Sequence, residues 1–232
     1  MAGQSVRVNG IRLAYRRFGA PQSPPLVLLH SLGESSASWA TIAPALAADH
    51  AVFAMDVRGH GDSDRTDAYG LAAMRDDVIG FLALSQLSPV TMIGHSMGGV
   101  IAYLVAEEWP AAISRLVLED PAPPLPAEPP RTVPERPDGP LDFDWAVVEA
   151  LTRERNAPPA QWWQRLPEIT APTLMLGGGP TSHIPQDQLA GVTARIPNAR
   201  MHTIPAGHLI HETMPTEFLA EVRAFLSTTD PG

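Results

Sequence analysis

The sequence predicts an α/β fold, a mostly parallel eight-stranded sheet with helices on both faces. Three observations carry that expectation. Apolar runs without alternation, such as Leu26-Val27-Leu28-Leu29, read as strands buried on both sides. Stretches of helical character separate these runs, and strand–helix alternation implies a parallel sheet. The apolar run at residues 90–93 passes directly into Gly94-His95-Ser96-Met97-Gly98. A helix-competent run over 100–108 then follows and is stopped by Pro110.

Taken in order, Asn9-Gly10 between residues 5–8 and 11–18 is a hairpin signal, because both turn residues tolerate positive φ. An antiparallel pair therefore opens the sheet. Pro24-Pro25 leads into the strand at 26–29. Residues 36–48 read as a helix and 51–56 as the next buried strand. The polar, glycine-rich stretch 58–69 is a loop at that strand's end, and a helix over 71–87 precedes the strand at 90–93. Residues 115–118 form a strand that ends in Glu119-Asp120-Pro121. Near the C-terminus, strands are expected at 172–176 and 200–204, helices at 186–196 and 215–227, and a frayed tail at 230–232. In such sheets ligands bind beyond the carboxyl ends of the strands. Ser31, Asp56, Ser96 and Asp120 all sit at such ends.

Residues 121–140, PAPPLPAEPPRTVPERPDGP, carry too much proline and too little apolar content for a core element. Residues 142–155 follow, with Trp145, Val148 and Leu151 at helical spacing, and 161–166 is a second short helix. The chain thus divides into a core, 1–120 and 170–232, and an inserted proline-rich and helical lid, 121–169. A surface excursion with no substrate role is the alternative. Long excursions inside compact domains are usually functional, which favours the lid.

The 232 residues suit one large domain. A formal net charge of −9 argues against a nucleic-acid surface, which needs clustered cations. Lysine is absent, so every cation besides histidine is arginine. Without cysteine there is no disulfide, thiolate metal site or cysteine nucleophile. The first ten residues lack the apolar core of a secretory signal, and no apolar stretch is long enough to span a bilayer. A cytoplasmic protein without a membrane or nucleic-acid partner is the expectation. Oligomeric state leaves no trace in the sequence.

G-x-S-x-G between strand and helix is the nucleophile-elbow pattern, in which a sharp turn lifts the serine hydroxyl above the sheet edge. Side chains at Gly94 or Gly98 would collide where strand and helix pack around a strained Ser96. Serine is a weak nucleophile at its own pKa and needs an adjacent base. His208 is the candidate, on a loop that Pro205-Ala206-Gly207 carries away from the strand at 200–204.

Four pieces occur in the order and at about the spacing of the α/β-hydrolase superfamily, which the chain resembles from end to end. They are His30-Ser31-Leu32-Gly33 with Trp39, Asp56-Val57-Arg58-Gly59-His60-Gly61-Asp62-Ser63, the elbow, and Gly207-His208. The resemblance implies a Ser–acid–His triad with His208 as base. It also implies an oxyanion site made by the N–H of Leu32 and by that of Met97 at a helix start. The majority pattern places the acid after the strand that follows the lid. Here residues 177–183 hold no carboxylate, and Asp187 comes only later, inside the following helix. Some branches seat the acid at the end of the preceding strand; the arrangement resembles that of the fungal lactone hydrolases that open zearalenone. Matched from the strand's start, Asp120 falls on that position, with Glu119 and Asp187 as alternatives.

Ser31 replaces the usual glycine of His-Gly, and its hydroxyl either contacts the substrate or only satisfies neighbouring backbone. Trp145, Trp162 and Trp163 either line the substrate pocket or fasten lid to core; Ser31, Trp145 and Trp163 are the expected substrate contacts. Trp39 is expected beneath the oxyanion loop. Asp56, Arg58, His60 and Asp62 read as a hydrogen-bonded turn rather than a metal site, and the glycine run at 177–179 lacks the spacing and lysine of a phosphate-binding loop. The expected reaction is hydrolysis of a small-molecule carboxylic ester or lactone with no metal or organic cofactor. Carbon–carbon and amide hydrolysis reuse the same triad, and a ligand-sensing homologue with little turnover is the rival of another class. A serine at the elbow argues against haloalkane dehalogenase and epoxide hydrolase chemistry, whose relatives place an aspartate there.

Overall fold

Asn9 and Gly10 adopt φ of 49° and 84°, the geometry a two-residue hairpin requires, and tie β1 (Gln4–Val8) to β2 (Ile11–Phe18). The computed structural model describes residues 3–228, so the tail expected at 230–232 lies outside the described residues. Six further strands complete the sheet: β3 (Pro25–Leu29), β4 (Ala51–Met55), β5 (Val90–His95), β6 (Ile113–Glu119), β7 (Thr173–Gly177) and β8 (Ala199–Thr203). Their order is β1-β2-β4-β3-β5-β6-β7-β8. The pairs β1–β2 and β2–β4 are antiparallel, and every later pair is parallel.

The helices are α1 (Ile42–Leu46), α2 (Leu71–Leu84), α3 (Met97–Glu108), α4 (Ala146–Asn156), α5 (Ala160–Arg165), α6 (Gln186–Arg195), α7 (Ile210–Thr213) and α8 (Pro215–Leu226). Successive strand residues point to opposite faces, and the cores divide accordingly. Val27 and Leu29 of β3 pack with Met74, Phe81, Ile101 and Leu189, the side of α2, α3 and α6. Leu26 and Leu28 pack with Ile42, Phe218 and Val222, the side of α1 and α8. Both faces are dry, which explains why the strands read as unbroken apolar runs.

Two elements differ from expectation for local reasons. The helix expected over 36–48 is a 3-10 turn, Ser36–Ala40, followed by the separate α1. Pro44 would clash with the carbonyl of Ala40 in a continuous α-helix. The helix expected from residue 142 starts at Ala146, because the preceding residues pair with the 58–61 loop. Gly61 N–H donates to Asp142 O and Asp144 N–H to Gly59 O, at 2.9 and 2.7 Å. The Asp144 carboxylate then accepts from Ala146 N–H (3.1 Å) and from the Tyr69 hydroxyl (2.8 Å).

The proline-rich stretch has no helix or strand, yet it is tethered. Ala127 N–H donates to Arg155 O at 2.9 Å, and Asn156 bonds both the N–H and the carbonyl of Arg131 at 2.8 Å. The end of α4 thus carries the strap. No helix among the described residues is long and apolar enough to cross a membrane.

Candidate active site

Between β5 and α3 the chain turns through Ser96, at φ 50° and ψ −111°. A non-glycine residue holds such a backbone only when its surroundings impose it. They do so by close approach: a Cβ on Gly94 would lie 2.3 Å from Gly98 O, and one on Gly98 would lie 2.2 Å from Leu29 O. Ser96 N–H donates to Glu119 O (2.9 Å) and Ser96 O accepts from Val100 N–H (3.0 Å), which pins both ends of the turn. Ser96 remains partly exposed while its flanking residues are buried.

His208 and Asp120 meet at this edge. His208 Nδ1 lies 2.7 Å from Asp120 Oδ2. Asp120 follows β6 at φ 44° and is fully buried. Its other bonds come from Gly178 N–H and Gln186 Nε2, each 3.0 Å from Oδ1, and from the Ser182 hydroxyl at Oδ2. Burial by itself would raise the Asp120 pKa, but these four donors outweigh it and hold the carboxyl below its usual range. Ser182 and Gln186 escaped sequence reasoning. Their signal was indirect: they occupy the carboxylate-free stretch after β7 and reach back to an acid seated on β6. Asp187 is exposed on α6 and makes no side-chain bond among the described residues. Ser96 and His208 are not hydrogen-bonded to each other. They are connected through His95, whose Nε2 lies 2.9 Å from the carbonyl of His208 and whose ring centroid is 4.8 Å from that of His208.

Leu32 and Met97 flank the serine in one cavity. Neither backbone N–H finds a partner among the described residues. Met97 is the first residue of the twelve-residue α3, so its amide belongs to the unsatisfied, positive end of the helix.

Beneath this edge lies a second polar cluster, buried except at Glu34. Glu119 accepts from His211 N–H at 2.8 Å, and His211 Nδ1 lies 2.8 and 2.9 Å from its two oxygens. Trp39 stacks on His211 at 4.1 Å, so it packs against α7 and α8. The His95 ring stands 5.1 Å from that of His211, and its Nδ1 is 3.6 Å from Glu34, an ion-pair contact too long for a hydrogen bond. Burial would lower the His95 pKa, but the charges of Glu119 and Glu34 outweigh it and hold it at about 9. Burial would raise that of Glu34, but His95 and the Ser31 N–H bring it to about 2. The cluster therefore ties the Ser31–Leu32 loop, the elbow and the His208 loop together.

Other expected residues resolve differently. Ser31 is buried and lines neither cavity beside the serine; its backbone serves Glu34 and the His30 ring. Neither Trp145 nor Trp163 lines these cavities. Trp163 carries the Arg195 guanidinium 4.7 Å over its ring, and Trp145 leans toward Phe143. Trp162, one residue away on α5, does line the serine cavity. The 56–63 loop is a hydrogen-bonded turn. Asp56 accepts from Ser36 N–H (2.6 Å) and Asp62 N–H (3.0 Å), and Arg58 grips Asp77 with two bonds of 2.6 and 2.7 Å. Burial, with the nearby His30, presses the His60 pKa down to about 3. No group of three or more His, Cys, Asp or Glu among the described residues could hold a metal ion.

The serine cavity measures about 60 Å³ and is mainly apolar, lined by Val100, Leu151 and Trp162 among others. A larger, half-open space of about 760 Å³ under the proline-rich strap shares Leu32, Leu151 and Arg155 with it.

A sequence model of the family described as alpha/beta hydrolase fold matches residues 24–146. An uncharacterized protein of Mycobacterium tuberculosis is 36% identical over 112 residues, 48% of this chain and 32% of its own. The chain thus spans about a third of that relative's length. The esterase YbfF of Escherichia coli is 26% identical over 253 residues, covering 88% of this chain and 93% of its own. Among solved structures, a hydrolase from Pseudomonas aeruginosa superposes with a TM-score of 0.86 at 25% identity, over 97% of this chain and 98% of that one.

Proposed function

The chain belongs to the alpha/beta hydrolase fold family, and on that premise we propose that it is a serine hydrolase cleaving a carboxylic ester or lactone. In this reading His208 takes the Ser96 proton as Oγ attacks the carbonyl, and Asp120 orients the imidazole and offsets its charge. The amides of Leu32 and Met97 receive the oxyanion of the tetrahedral intermediate. His208 then gives its proton to the leaving alcohol and activates the water that releases the acid. Residues 121–169 act as the lid, closing the cavity from above with Pro123, Leu125, Leu151 and Trp162.

The observation that carries the proposal is the pair of unpartnered N–H groups at Leu32 and Met97, in one cavity with a serine held at φ 50°. Two donors without a protein partner, lining one cavity with a nucleophile, suit an oxygen that becomes negative during reaction. The name of the Escherichia coli relative, an esterase, points the same way. The missing Ser96–His208 hydrogen bond favours a second reading, a ligand-sensing protein with little turnover. Such bonds are often long before substrate binds, so the hydrolase reading stands first. A fluorophosphonate probe separates the two. We expect stoichiometric labelling at Ser96, none in Ser96→Ala, and turnover of methyl butyrate by the unmodified protein. A folded protein that neither labels nor turns over short esters overturns the proposal.

A further inference from the structure

We infer that the substrate carries a carboxylate on its acyl side, held by the Arg155 guanidinium, so that the natural ester or lactone derives from a short dicarboxylic acid. The inference rests on the serine-hydrolase reading for the position of the scissile carbonyl, and on separate observations for the anion.

Arg155 lines both the serine cavity and the larger space under the strap. Its side chain has no ion pair and no hydrogen bond among the described residues, although the chain holds 25 acidic residues and only 16 arginines. Arg58, also partly buried, is neutralised by Asp77 at 2.6 Å, and Arg17 lies over the Phe53 ring at 5.5 Å, away from either cavity. The adjacent Glu154 also lines the serine cavity, but its carboxylate accepts from Leu71 N–H at 2.9 Å, and neighbours on a helix do not face each other. Arg131 and His183 join Arg155 around the larger space. Burial, with Arg131 adding its like charge, lowers the Arg155 pKa to about 10. At neutral pH the guanidinium is still charged. A half-buried cation without a counter-ion is costly, and here it lines the space a substrate fills. The same lining that leaves Arg155 unpaired would let a carboxylate accept two parallel bonds from its fork.

Cavity size sets the length. A water-sized group occupies roughly 10–15 Å³ of this measure, so about 60 Å³ holds roughly four to six heavy atoms. Such a chamber, mainly apolar with an unpaired cation in its lining, suits the carbon chain of a succinate or glutarate monoester. A longer neutral acyl chain would leave the cation unmatched.

The test compares hydrolysis of monomethyl glutarate and methyl butyrate by pH-stat, using the full chain and Arg155→Met. The backbone carbonyl that anchors Ala127 survives this substitution, and a thermal melt checks folding. We expect the full chain to prefer the monoanion, and Arg155→Met to lower the ratio of the two kcat/KM values by roughly 10- to 100-fold, chiefly through KM. Glutarate binding to Ser96→Ala, measured by calorimetry, reads the same cation without chemistry and should be lost on adding Arg155→Met. Turnover that ignores the charge, or a ratio unmoved by Arg155→Met, overturns the inference while leaving the hydrolase reading in place. Glutarate binding that depends on Arg155, with neither ester turned over, supports the anion site and overturns the reaction assigned to it.

Discussion

Glu119 and Asp120 are adjacent carboxylates, both fully buried and both paired with histidine, and their substitution should have opposite consequences. In Asp120→Asn, the amide oxygen can keep the bonds from Gly178 and Gln186. The NH₂ group then faces His208 and donates to Nδ1. That forces the imidazole proton onto Nε2, the nitrogen that in the proposed mechanism accepts from Ser96. A wrong-tautomer base costs about 10⁴-fold in kcat in the best-studied triad, and we expect a loss of about 10³- to 10⁴-fold here. Stability should change little, because shape and most bonds persist. Glu119→Gln instead removes the carboxylate that balances His95 and His211 in a dry cluster. Breaking a buried ion pair costs about 3–5 kcal/mol. In a chain of this size each kcal/mol shifts Tm by roughly 2–4 °C, so Tm should fall by about 6–20 °C, with kcat below that temperature held within about tenfold. Ester turnover by pH-stat and melting followed by circular dichroism read the two quantities separately. If folded Glu119→Gln loses activity while Asp120→Asn keeps it, the roles assigned to the two carboxylates are wrong.

Two further outcomes follow from the same structure. Glu34 and Glu119 are held below their usual 4.5, so their stabilisation is present above that pH and is lost as pH falls below it, in the case of Glu34 through about 2. His95 is raised from 6.5, so its share is complete below 6.5 and is lost as pH rises through about 9. Tm measured from pH 2 to 10 should decline on both limbs, and His95→Gln should flatten the alkaline one; an unchanged alkaline limb in that variant refutes the charged His95. In Gly98→Ala, the new Cβ would press on Leu29 O at 2.2 Å and His30 O at 2.7 Å, both backbone atoms that cannot rotate away. A loss of about 1–3 kcal/mol or more is expected, together with slower labelling of Ser96 by fluorophosphonate, and wild-type values for both would show that the elbow is not closely packed.

Much of this architecture was legible in local pattern. Unbroken apolar runs reported strands buried on both faces, Asn9-Gly10 reported the hairpin, and the glycines around Ser96 reported a turn with no room for side chains. Those features depend on a residue and its near neighbours, which is the information a sequence carries directly. The position of His208 followed from strand order, because parallel strands deliver their carboxyl ends to one rim.

Other features depended on direction. Glu119 ends a strand and points to one face of the sheet, where His211 and Trp39 wait. Asp120, turned by a positive φ, points to His208. A single residue of register separates the two environments, and nothing local distinguishes the two acids. Trp162 and Trp163 are likewise neighbours on one helix, yet one lines the cavity and the other lies under Arg195. The partners of Asp120 come from residues 58 to 88 positions away, and among the described residues Arg155 is unpaired because no carboxylate reaches its guanidinium. Composition and period determined which elements form and which residue types the rim could offer; only the packing of those elements decided which side chains meet, since contact across the fold is a property of three-dimensional approach and not of spacing along the chain.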